Sequence, residues 1–544
     1  MNVLAPLSFL MLTAVGQCLE REQTPIINTT LGPVQGSIKQ TVWNNVKYSS
    51  FKGIRYAAPP VGNLRFQPPR PPQPWTKVLN ATKEGSVCPQ IDGFSTEYMG
   101  DEDCLHLSVF TPETNFDTGM TLRPVMIWIF GGSYTTGYVN TTLYGPDFLM
   151  EQDVVVVSVN YRLGALGFLY LNNTKVLGNA AMKDQVLGMR WVQDNIAAFG
   201  GDKTKVTVAG QSAGCAAVLL HHLSDKSKDL FTRSICHSGT PLVLLFSTPI
   251  SALKSAHRLA DALGVDNKDT NQIYRELVNI PAMKLVLATS SFKGVSLSDL
   301  LPFRPTIENP ANASPQNTFL SECPTTLVMT GKFKKCEKIF GYMANEALEF
   351  TDKLFSMANQ TMVFRELNYK LIGMTAQFIT TVVAIPAVDY TQRLLEANND
   401  GYPIYYYVNS YTSNYSIHRA FGIPIEGAAH MDDVGFLWNA DAMNAPTDPN
   451  APLNQFRRKY VTLWANFVKY GNPTPITNNP IGGVVWQPSG RRGVQLEIND
   501  KFRMVPRSIP LASLAIETFL YAAKPVASFC HNISYDVPYT SIFP

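Results

Sequence analysis

A serine between two glycines is the first feature of this sequence whose residue types and spacing could support chemistry. It lies in Gly210-Gln-Ser-Ala-Gly214, which directly follows the β-rich run 206–209 and opens a helical pattern over 213–223. A sharp turn from strand to helix exposes a serine hydroxyl above a sheet, and the glycines leave room for that turn. Backbone N–H groups at the helix start then face any anion that forms there. The pattern predicts that Ser212 is a nucleophile; the alternative is a tight turn whose serine only caps the helix.

A second glycine-rich turn, Phe130-Gly-Gly-Ser133, closes the apolar run that starts at Val125. The N–H groups of such a turn can point at the carbonyl oxygen that Ser212 attacks and, with the N–H of Ala213, form an oxyanion hole. Each donor in an oxyanion hole stabilises the transition state by about 3 kcal/mol. An ordinary turn at the end of a strand is also compatible with Gly-Gly.

The segments around these two turns alternate between strand and helix patterns. Short β-branched apolar runs, typical of strands buried on both faces, lie at 125–130, 154–160, 206–209 and 234–237. Apolar residues recur at helical spacing over 184–199 and 213–223, and a late strand (402–408) and helix (452–470) follow. This alternation predicts a parallel sheet with helices on both faces. Because no linker or repeat is visible, we expect a single α/β domain over 19–544 with long insertions.

The composition is that of a large globular protein. Of 544 residues, 45% are hydrophobic and 16% are charged, which is enough apolar material for an extensive core and argues against disorder. The net charge of +3 gives no support to binding of nucleic acid or of an anionic membrane surface. No cluster of cysteines or histidines suggests a metal site, and no cofactor is expected.

Residues 1–18 have the pattern of a secretory signal peptide. An apolar stretch covers 4–15, and the small residues Ala14 and Gly16 stand at the −3 and −1 positions of a possible cut, which predicts cleavage near 16–18. No other apolar run is long enough to span a bilayer, so we expect a secreted protein without a membrane span. Eight cysteines fit that compartment. Eight glycosylation sequons fit it as well: Asn28, Asn80, Asn140, Asn172, Asn312, Asn359, Asn414 and Asn532.

Long blocks of the chain resemble the type-B carboxylesterase/cholinesterase family of α/β hydrolases. They are Gly53-Ile-Arg-Tyr-Ala-Ala-Pro-Pro-Val-Gly-Asn-Leu-Arg-Phe66, Glu102-Asp-Cys-Leu-His-Leu-Ser-Val-Phe-Thr-Pro112, Asn160-Tyr-Arg-Leu-Gly164 and the Ser212 turn. They occur in the family's order, and the resemblance covers nearly the whole mature chain. It implies the α/β-hydrolase fold, which has a large, mostly parallel central sheet.

The resemblance also supplies partners for Ser212. Gly341-Tyr-Met-Ala-Asn-Glu346 is similar to the segment that bears the family's acid, and Gly427-Ala-Ala-His430 is similar to its histidine segment. Glu346 and His430 are therefore expected to complete a Ser–Glu–His triad, in which His430 accepts the Ser212 proton. The oxyanion donors that the family implies are the backbone N–H groups of Gly132, Ser133 and Ala213.

Two cysteine pairs are close in sequence, although spacing alone proves neither pairing. Cys88 and Cys104 resemble the family's first disulfide. The family's second disulfide falls in a segment after the nucleophile where this chain has no cysteine. Cys323 and Cys336 lie much later, and we expect them to pair because they too could close a small loop. The remaining cysteines of the mature chain, Cys215, Cys236 and Cys530, are expected to be buried free thiols.

Other family features carry over in part. Arg65 with Glu102, and Asp103 with Arg162, resemble the family's structural ion pairs, and Ser238 resembles the serine that bonds the triad carboxylate. Ser133 stands where family members commonly have glycine. The segment between Cys88 and Cys104 is short and lacks tryptophan, so the aromatic choline site of cholinesterases is not expected.

The sequence thus predicts a secreted serine carboxylesterase that hydrolyses small apolar esters through an acyl-enzyme intermediate. One alternative is a non-catalytic binding or adhesion protein on the same fold. Another is a protein that sequesters esters because its acyl-enzyme hydrolyses slowly. The physiological ester, the pocket residues and the oligomeric state are not determined by these patterns.

Overall fold

An eleven-stranded mixed sheet forms the centre of the fold. The computed structural model describes residues 22–93, 95–242, 249–266, 269–292, 301–351, 365–490 and 493–507. The predicted signal peptide, Cys530 and the sequons at Asn359 and Asn532 lie outside these residues. The sheet's strands are β1 Ser37–Gln40, β2 Lys47–Arg55, β3 His106–Thr111, β4 Arg123–Ile129, β5 Val155–Val159, β6 Gly201–Gln211, β7 Arg233–His237, β8 Lys338–Met343, β9 Ile404–Asn409, β10 Val494–Ile498 and β11 Arg503–Pro506.

The strands follow the spatial order β1-β2-β3-β5-β4-β6-β7-β8-β9-β10-β11. Neighbours from β5 through to β10 are parallel, whereas β1, β2 and β3 at one edge and β11 at the other pair antiparallel. In the middle, Ile127 of β4 lies opposite both Val157 of β5 and Val208 of β6. All three side chains are fully buried, as expected of strands in a covered parallel sheet. The mostly parallel sheet predicted from the sequence is confirmed.

Helices connect and cover the strands. They are α1 Asp147–Met150, α2 Gly164–Phe168, α3 Ala180–Asn195, α4 Ala213–Leu223, α5 Pro249–Ala262, α6 Thr270–Leu277, α7 Ala282–Ser290, α8 Pro324–Met329, α9 Arg365–Ile379, α10 Ile385–Asn398, α11 Ile417–Ala420, α12 Val434–Leu437 and α13 Pro452–Tyr470. A π-helical turn, Thr380–Ala384, joins α9 to α10. Helix α4 packs on β6 and β7, and α13 packs on β4 and β6.

Shorter elements complete the fold. Short 3₁₀ helices occupy Gly62–Leu64, Ile196–Phe199, Glu346–Thr351 and Asp441–Met443. A three-stranded sheet is formed by Ile27–Asn28, Pro33–Gln35 and Leu79–Asn80, and a two-stranded one by Gln90–Ile91 and Tyr98–Met99.

Helix boundaries agree well with the sequence patterns. Helices α4 and α13 have the predicted bounds. The helix predicted over 184–199 begins earlier, at Ala180, and its last turn is the 3₁₀ turn Ile196–Phe199. Strand β6 is longer than the predicted 206–209 because it already pairs with β4 at Gly201, before an irregularity ahead of Val206.

One of the two predicted disulfides is present. Cys88 and Cys104 are bonded. The predicted bond between Cys323 and Cys336 is wrong: Cys336 is a free, buried thiol, and Cys323 is disulfide-bonded, but not to Cys336. Helix α8 begins directly after Cys323 and takes up half of the interval between these two cysteines, so their closeness in sequence does not produce a small closed loop. Cys215 and Cys236 are buried free thiols, as predicted.

The two predicted ion pairs have different outcomes. Arg65 Nε donates to Glu102 Oε1 at 2.7 Å, so that pair is confirmed. The pair between Asp103 and Arg162 is wrong. Asp103 instead accepts from Arg55 at 2.7 Å, and the Arg162 guanidinium binds the fully buried carboxylate of Asp184 on α3 at 2.6 and 2.8 Å. Helix α3 supplies this nearer partner once it packs behind β5.

Candidate active site

Ser212 lies at the sharp turn between β6 and α4. Its backbone angles, φ 56° and ψ −124°, are rare for a residue with a side chain. The N–H of Ser212 donates to the carbonyl of His237 at 2.8 Å, and its own carbonyl accepts from Ala216 at 3.0 Å. The hydroxyl makes no capping hydrogen bond to α4. The alternative of a serine that only caps the helix therefore does not hold.

Close approach of neighbouring backbones explains the glycines around Ser212. A Cβ on Gly210 would lie 2.5 Å from the backbone of Gly214, and a Cβ on Gly214 would lie 2.1 Å from the carbonyl oxygen of Ile129 on β4. A Cβ on Gly239 would lie 2.2 Å from the carbonyl oxygen of Ser212. Any larger residue at these positions would push the turn away from the sheet.

The second glycine-rich turn runs directly beside Ser212. A Cβ on Gly131 would lie 2.9 Å from Cβ of Ser212, and a Cβ on Gly132 would lie 2.2 Å from the carbonyl oxygen of Thr136. Gly132 and Ser133 both have positive φ, 106° and 56°. Ala213 is the first residue of α4, where backbone N–H groups have no partner within the helix. The three predicted oxyanion donors thus lie on two segments that adjoin Ser212.

Glu346 and His430 are in direct contact. His430 Nδ1 donates to Glu346 Oε2, while the N–H of Met343 donates to Glu346 Oε1 at 2.7 Å. A β-bridge between Asn345 and Ala429 joins the two segments. Both residues are buried. Two residues that lie 84 positions apart in sequence are therefore held side by side.

Gln211 is a further residue at this place that the sequence analysis did not identify. Its Nε2 lies 3.0 Å from Nε2 of His430. Because Nδ1 of a neutral His430 carries the hydrogen that Glu346 accepts, its Nε2 presents a lone pair, and the Gln211 amide donates to it. This contact also places His430 next to the Ser212 turn.

Two adjacent aspartates anchor the segment that follows His430. Asp432 accepts from His418 Nδ1 at 2.7 Å and from the N–H of Ala429 at 2.8 Å. Asp433 accepts from His237 Nδ1 at 2.8 Å. Sequence reasoning missed both pairs, since the only local signal was the Asp-Asp sequence itself.

Ser238 does not have its predicted partner. Its hydroxyl is buried, and within the described ranges no hydrogen bond from it reaches Glu346 or any other group. The N–H of Ser238 instead donates to the carbonyl of Gly341, between β7 and β8, at 2.9 Å. The reason is local: φ of Ser238 is 53°, and Glu346 is already satisfied by Met343 and His430.

A cavity of about 400 Å³ opens beside the oxyanion turn. Thr135 and Thr136 of that turn form one wall. Apolar side chains supply much of the rest, among them Ile91, Leu166, Leu285 and Phe292. Such a lining suits a hydrocarbon chain better than a charged group.

Two absences hold for the described part of the chain. None of its helices combines the length and hydropathy needed to cross a membrane. None of its His, Cys, Asp and Glu side chains gather in threes as a metal ion would require.

Comparison with known proteins finds similarity to carboxylesterases. The sequence model described as the carboxylesterase family matches residues 23–379 and 371–510. Juvenile hormone esterases of Heliothis virescens and Tribolium castaneum are each 31% identical to the chain, over 84% and 85% of it and 86% of each relative. Esterase B1 of Culex pipiens is 49% identical over 39% of both chains.

A solved structure is similar to this one over most of the chain. The juvenile hormone esterase of Manduca sexta, with OTFP covalently attached, superposes with a TM-score of 0.76 at 27% identity. The match covers 92% of this chain and 100% of that one. The predicted α/β-hydrolase fold is thereby confirmed.

Proposed function

The chain belongs to the carboxylesterase family and is an ester hydrolase of the carboxylesterase rather than the cholinesterase kind, and on that premise we propose that Ser212, Glu346 and His430 are its catalytic residues. The observation that supports this most is the Glu346–His430 pair, whose imidazole Nε2 lies against the residue preceding Ser212. A nucleophile, a base and an acid in these roles drive acyl transfer on unrelated folds.

The proposed reaction has two steps. Ser212 Oγ attacks the ester carbonyl carbon while His430 Nε2 takes its proton, and the N–H groups of Gly132, Ser133 and Ala213 stabilise the oxyanion. The C–O bond to the alcohol then breaks, and His430 returns the proton to the departing alkoxide. Water, deprotonated by His430, attacks the acyl carbon. The bond from that carbon to Ser212 Oγ breaks, His430 returns the proton to Ser212 Oγ, and the carboxylic acid leaves. Glu346 orients the imidazole and stabilises its charged form throughout.

The proposed substrate is a small apolar ester. The apolar wall of the 400 Å³ cavity beside Thr135 and Thr136 supports this. Two relatives are named for juvenile hormone, so that hormone belongs among the esters to be tested. The alternatives are slow release of the acyl group, which would make the protein a sequestering one, and binding without chemistry.

A series of p-nitrophenyl esters with increasing acyl length, together with juvenile hormone, tests the proposal. We expect Ser212→Ala to lower turnover by about a million-fold, because the triad acts as a unit. Ser158→Ala is the matched control: its hydroxyl is buried on β5 and makes no hydrogen bond in the part of the chain that the structure describes, so its removal should leave turnover intact. Activity retained by Ser212→Ala would refute the assignment.

The same assay separates the alternatives. One burst of nitrophenol per molecule without turnover would mean acylation without release, and the sequestering role would replace hydrolysis. The absence of any burst from a folded protein would favour a binding role.

We also propose that the protein is secreted. The Cys88–Cys104 disulfide supports this, and so does the exposure of the sequons at Asn28, Asn80 and Asn414. The amide of Asn312, by contrast, donates to Asn172 at 2.8 and 2.9 Å, and both residues are partly buried.

Glycan mapping of protein collected from the culture medium tests this proposal. We expect occupancy at Asn28, Asn80 and Asn414 and little at Asn172 and Asn312, since a glycan on Asn312 would displace its hydrogen bonds. Mass spectrometry after enzymatic deglycosylation identifies the sites. Retention of a full-length, unglycosylated chain inside the producing cells would contradict secretion.

A further inference from the structure

A buried polar cluster lies beneath the Ser212 turn and takes no part in the proposed chemistry. It consists of His237, Asp433, Tyr407 and Trp464, each no more than 1% exposed. His237 Nδ1 lies 2.8 Å from Asp433 Oδ2 and 2.9 Å from the Tyr407 hydroxyl. Trp464 Nε1 lies 2.9 Å from His237 Nε2. Both ring nitrogens of His237 are therefore engaged by partners from three separate elements.

The partners determine which ring nitrogen carries hydrogen. An indole N–H can only donate, so His237 Nε2 must be the acceptor from Trp464. A neutral imidazole with an unprotonated Nε2 carries its hydrogen on Nδ1, which donates to the Asp433 carboxylate. Burial, followed by the neighbouring Tyr460 and Asp433, raises the pKa of Tyr407, so this hydroxyl keeps its proton. His237 is thus held in one tautomer and one orientation.

The backbone and the side chain of His237 contact two different parts of the candidate active site. Its carbonyl accepts from the N–H of Ser212 at 2.8 Å. Its side chain binds Asp433, which follows His430 by three residues. The carbonyl of Asp433 accepts from the N–H groups of Phe436 and Leu437, both in α12. One residue therefore links the backbone of the nucleophile to the turn that carries the base.

The His430 turn requires such an anchor because its backbone is strained. Met431, which directly follows His430, has φ 70°, a conformation that costs a residue with a bulky side chain free energy and persists only where surrounding contacts enforce it. Asp432 and Asp433, the next two residues, supply side-chain contacts. Asp432 binds His418 and the N–H of Ala429, close to His430 itself, whereas Asp433 connects the turn to His237 on β7.

We propose that His237 and Asp433 are positioning residues that hold His430 in line with Ser212, through the hydrogen bond from His237 Nδ1 to the Asp433 carboxylate. The inference rests on the proposed function, since it takes His430 as the base. Neither side chain touches the reacting atoms. Their loss would shift the imidazole of His430 relative to the Ser212 hydroxyl, and a shift of about 1 Å between reacting groups lowers a rate by about 100-fold.

Two pairs of variants isolate this hydrogen bond. His237→Leu removes the donor, whereas His237→Asn places an amide N–H close to the position of Nδ1. Asp433→Ala removes the acceptor, whereas Asp433→Asn keeps an amide oxygen there. We expect kcat to fall by about 100-fold in His237→Leu and Asp433→Ala with KM changed little, because substrate contacts are intact. We expect His237→Asn and Asp433→Asn to recover most of that loss.

His221→Leu is the matched control for the loss of a buried histidine. His221 is fully buried and hydrogen-bonded through both ring nitrogens, to Ser227 at 2.9 Å and to Gln185 at 2.8 Å, neither of which lies in the candidate site. We expect this variant to unfold more easily but to keep the wild-type kcat per active site. Active sites are counted by stoichiometric organophosphate labelling, and folding is followed by circular dichroism.

The outcomes distinguish this inference from the proposed function. Equal losses of kcat in His237→Leu, His237→Asn and His221→Leu would assign His237 a merely structural role, and wild-type kcat in His237→Leu would overturn the inference outright. If His237→Leu does not fold, the comparison of Asp433→Ala with Asp433→Asn decides in the same way. Turnover that survives Ser212→Ala, measured in parallel, would refute the proposed function instead.

Discussion

At the scale of single residues, Gln211 has the most direct bearing on the proposed chemistry. Its amide donates to Nε2 of His430, the atom that must accept the Ser212 proton. A carbon at Gly131 would lie 2.8 Å from Gln211 Oε1, so the glycine there gives the amide its space. A neutral donor at this position binds the neutral imidazole, which is the form that acts as a base.

Gln211→Glu should therefore change the pH dependence of the reaction. A carboxylate at this distance accepts a hydrogen bond from the protonated imidazole of His430 and stabilises that form. The base is then protonated, and the activity lost, at a higher pH. We expect the acidic limb of the kcat/KM profile to move to higher pH, by about one unit or more. The profile is measured with a p-nitrophenyl ester between pH 5 and 9, which brackets the usual range of a histidine base.

Gln185→Glu is the control for this change. It places the same carboxylate beside another buried imidazole, since Gln185 Oε1 lies 2.8 Å from His221 Nε2. If the acidic limb of the kcat/KM profile shifts equally in both variants, or does not shift in either, Gln211 does not act on His430.

At the scale of secondary-structure elements, the turn from β6 to α4 depends on how closely α4 approaches β4. Gly214, the second residue of α4, packs against the carbonyl of Ile129 with no room for a side chain. The local sequence is enough to predict this turn, because two glycines between a β-rich run and a helical pattern are a short-range signal. The same holds for α13, which ends at Tyr470 and is followed by Gly471 in a left-handed conformation.

Gly214→Ala should displace α4 from the sheet. Its Cβ would lie 2.1 Å from a backbone oxygen, and overpacking against an immobile backbone costs about 1–3 kcal/mol or more. We expect a lower melting temperature by circular dichroism and loss of esterase activity, because Ser212 begins this helix.

Gly373→Ala provides the comparison within a helix that has space. There the nearest atom, Cγ2 of Ile425, would lie at an ordinary 3.6 Å, and alanine favours a helix by about 1 kcal/mol over glycine. This variant should be as stable as the parent or more so. If Gly214→Ala and Gly373→Ala had the same melting temperature and the same esterase activity, contact with Ile129 would not restrict α4.

At the scale of the whole molecule, buried histidines make the fold sensitive to acid. Burial lowers the pKa of His221 to about 3, and burial followed by the nearby Lys338 lowers the pKa of His222. In the unfolded chain both would titrate near 6.5. The unfolded state therefore binds protons below that pH that the folded state does not, and stability falls as the pH decreases.

His221→Gln should remove one of the side chains that bind a proton in the unfolded state but not in the folded state. Between pH 6 and 4.5 we expect its free energy of unfolding to fall less steeply than that of the parent, by about 1.4 kcal/mol per pH unit. Urea unfolding at several pH values measures this slope, and an unchanged m-value shows that the unfolded states are comparable. Equal slopes in the two proteins would contradict the role of His221.

The sequence by itself determined the features that depend on neighbouring residues. The Ser212 turn, the parallel strands around it and the bounds of α4 and α13 follow from local periodicity and from glycines at sharp turns. Glu346 and His430 were accessible only through family resemblance, because neither carries a local signal. Their contact joins positions 84 residues apart.

Only the tertiary structure decided which buried polar groups pair. Gln211 meets His430 across 219 positions and His237 meets Asp433 across 196, while Asp103, Arg162 and Cys336 do not have the partners that their sequence neighbourhood or family resemblance suggested. A buried donor must find an acceptor, but which one it finds depends on how strands and helices pack. That packing is a property of the folded chain as a whole, and no local pattern encodes it.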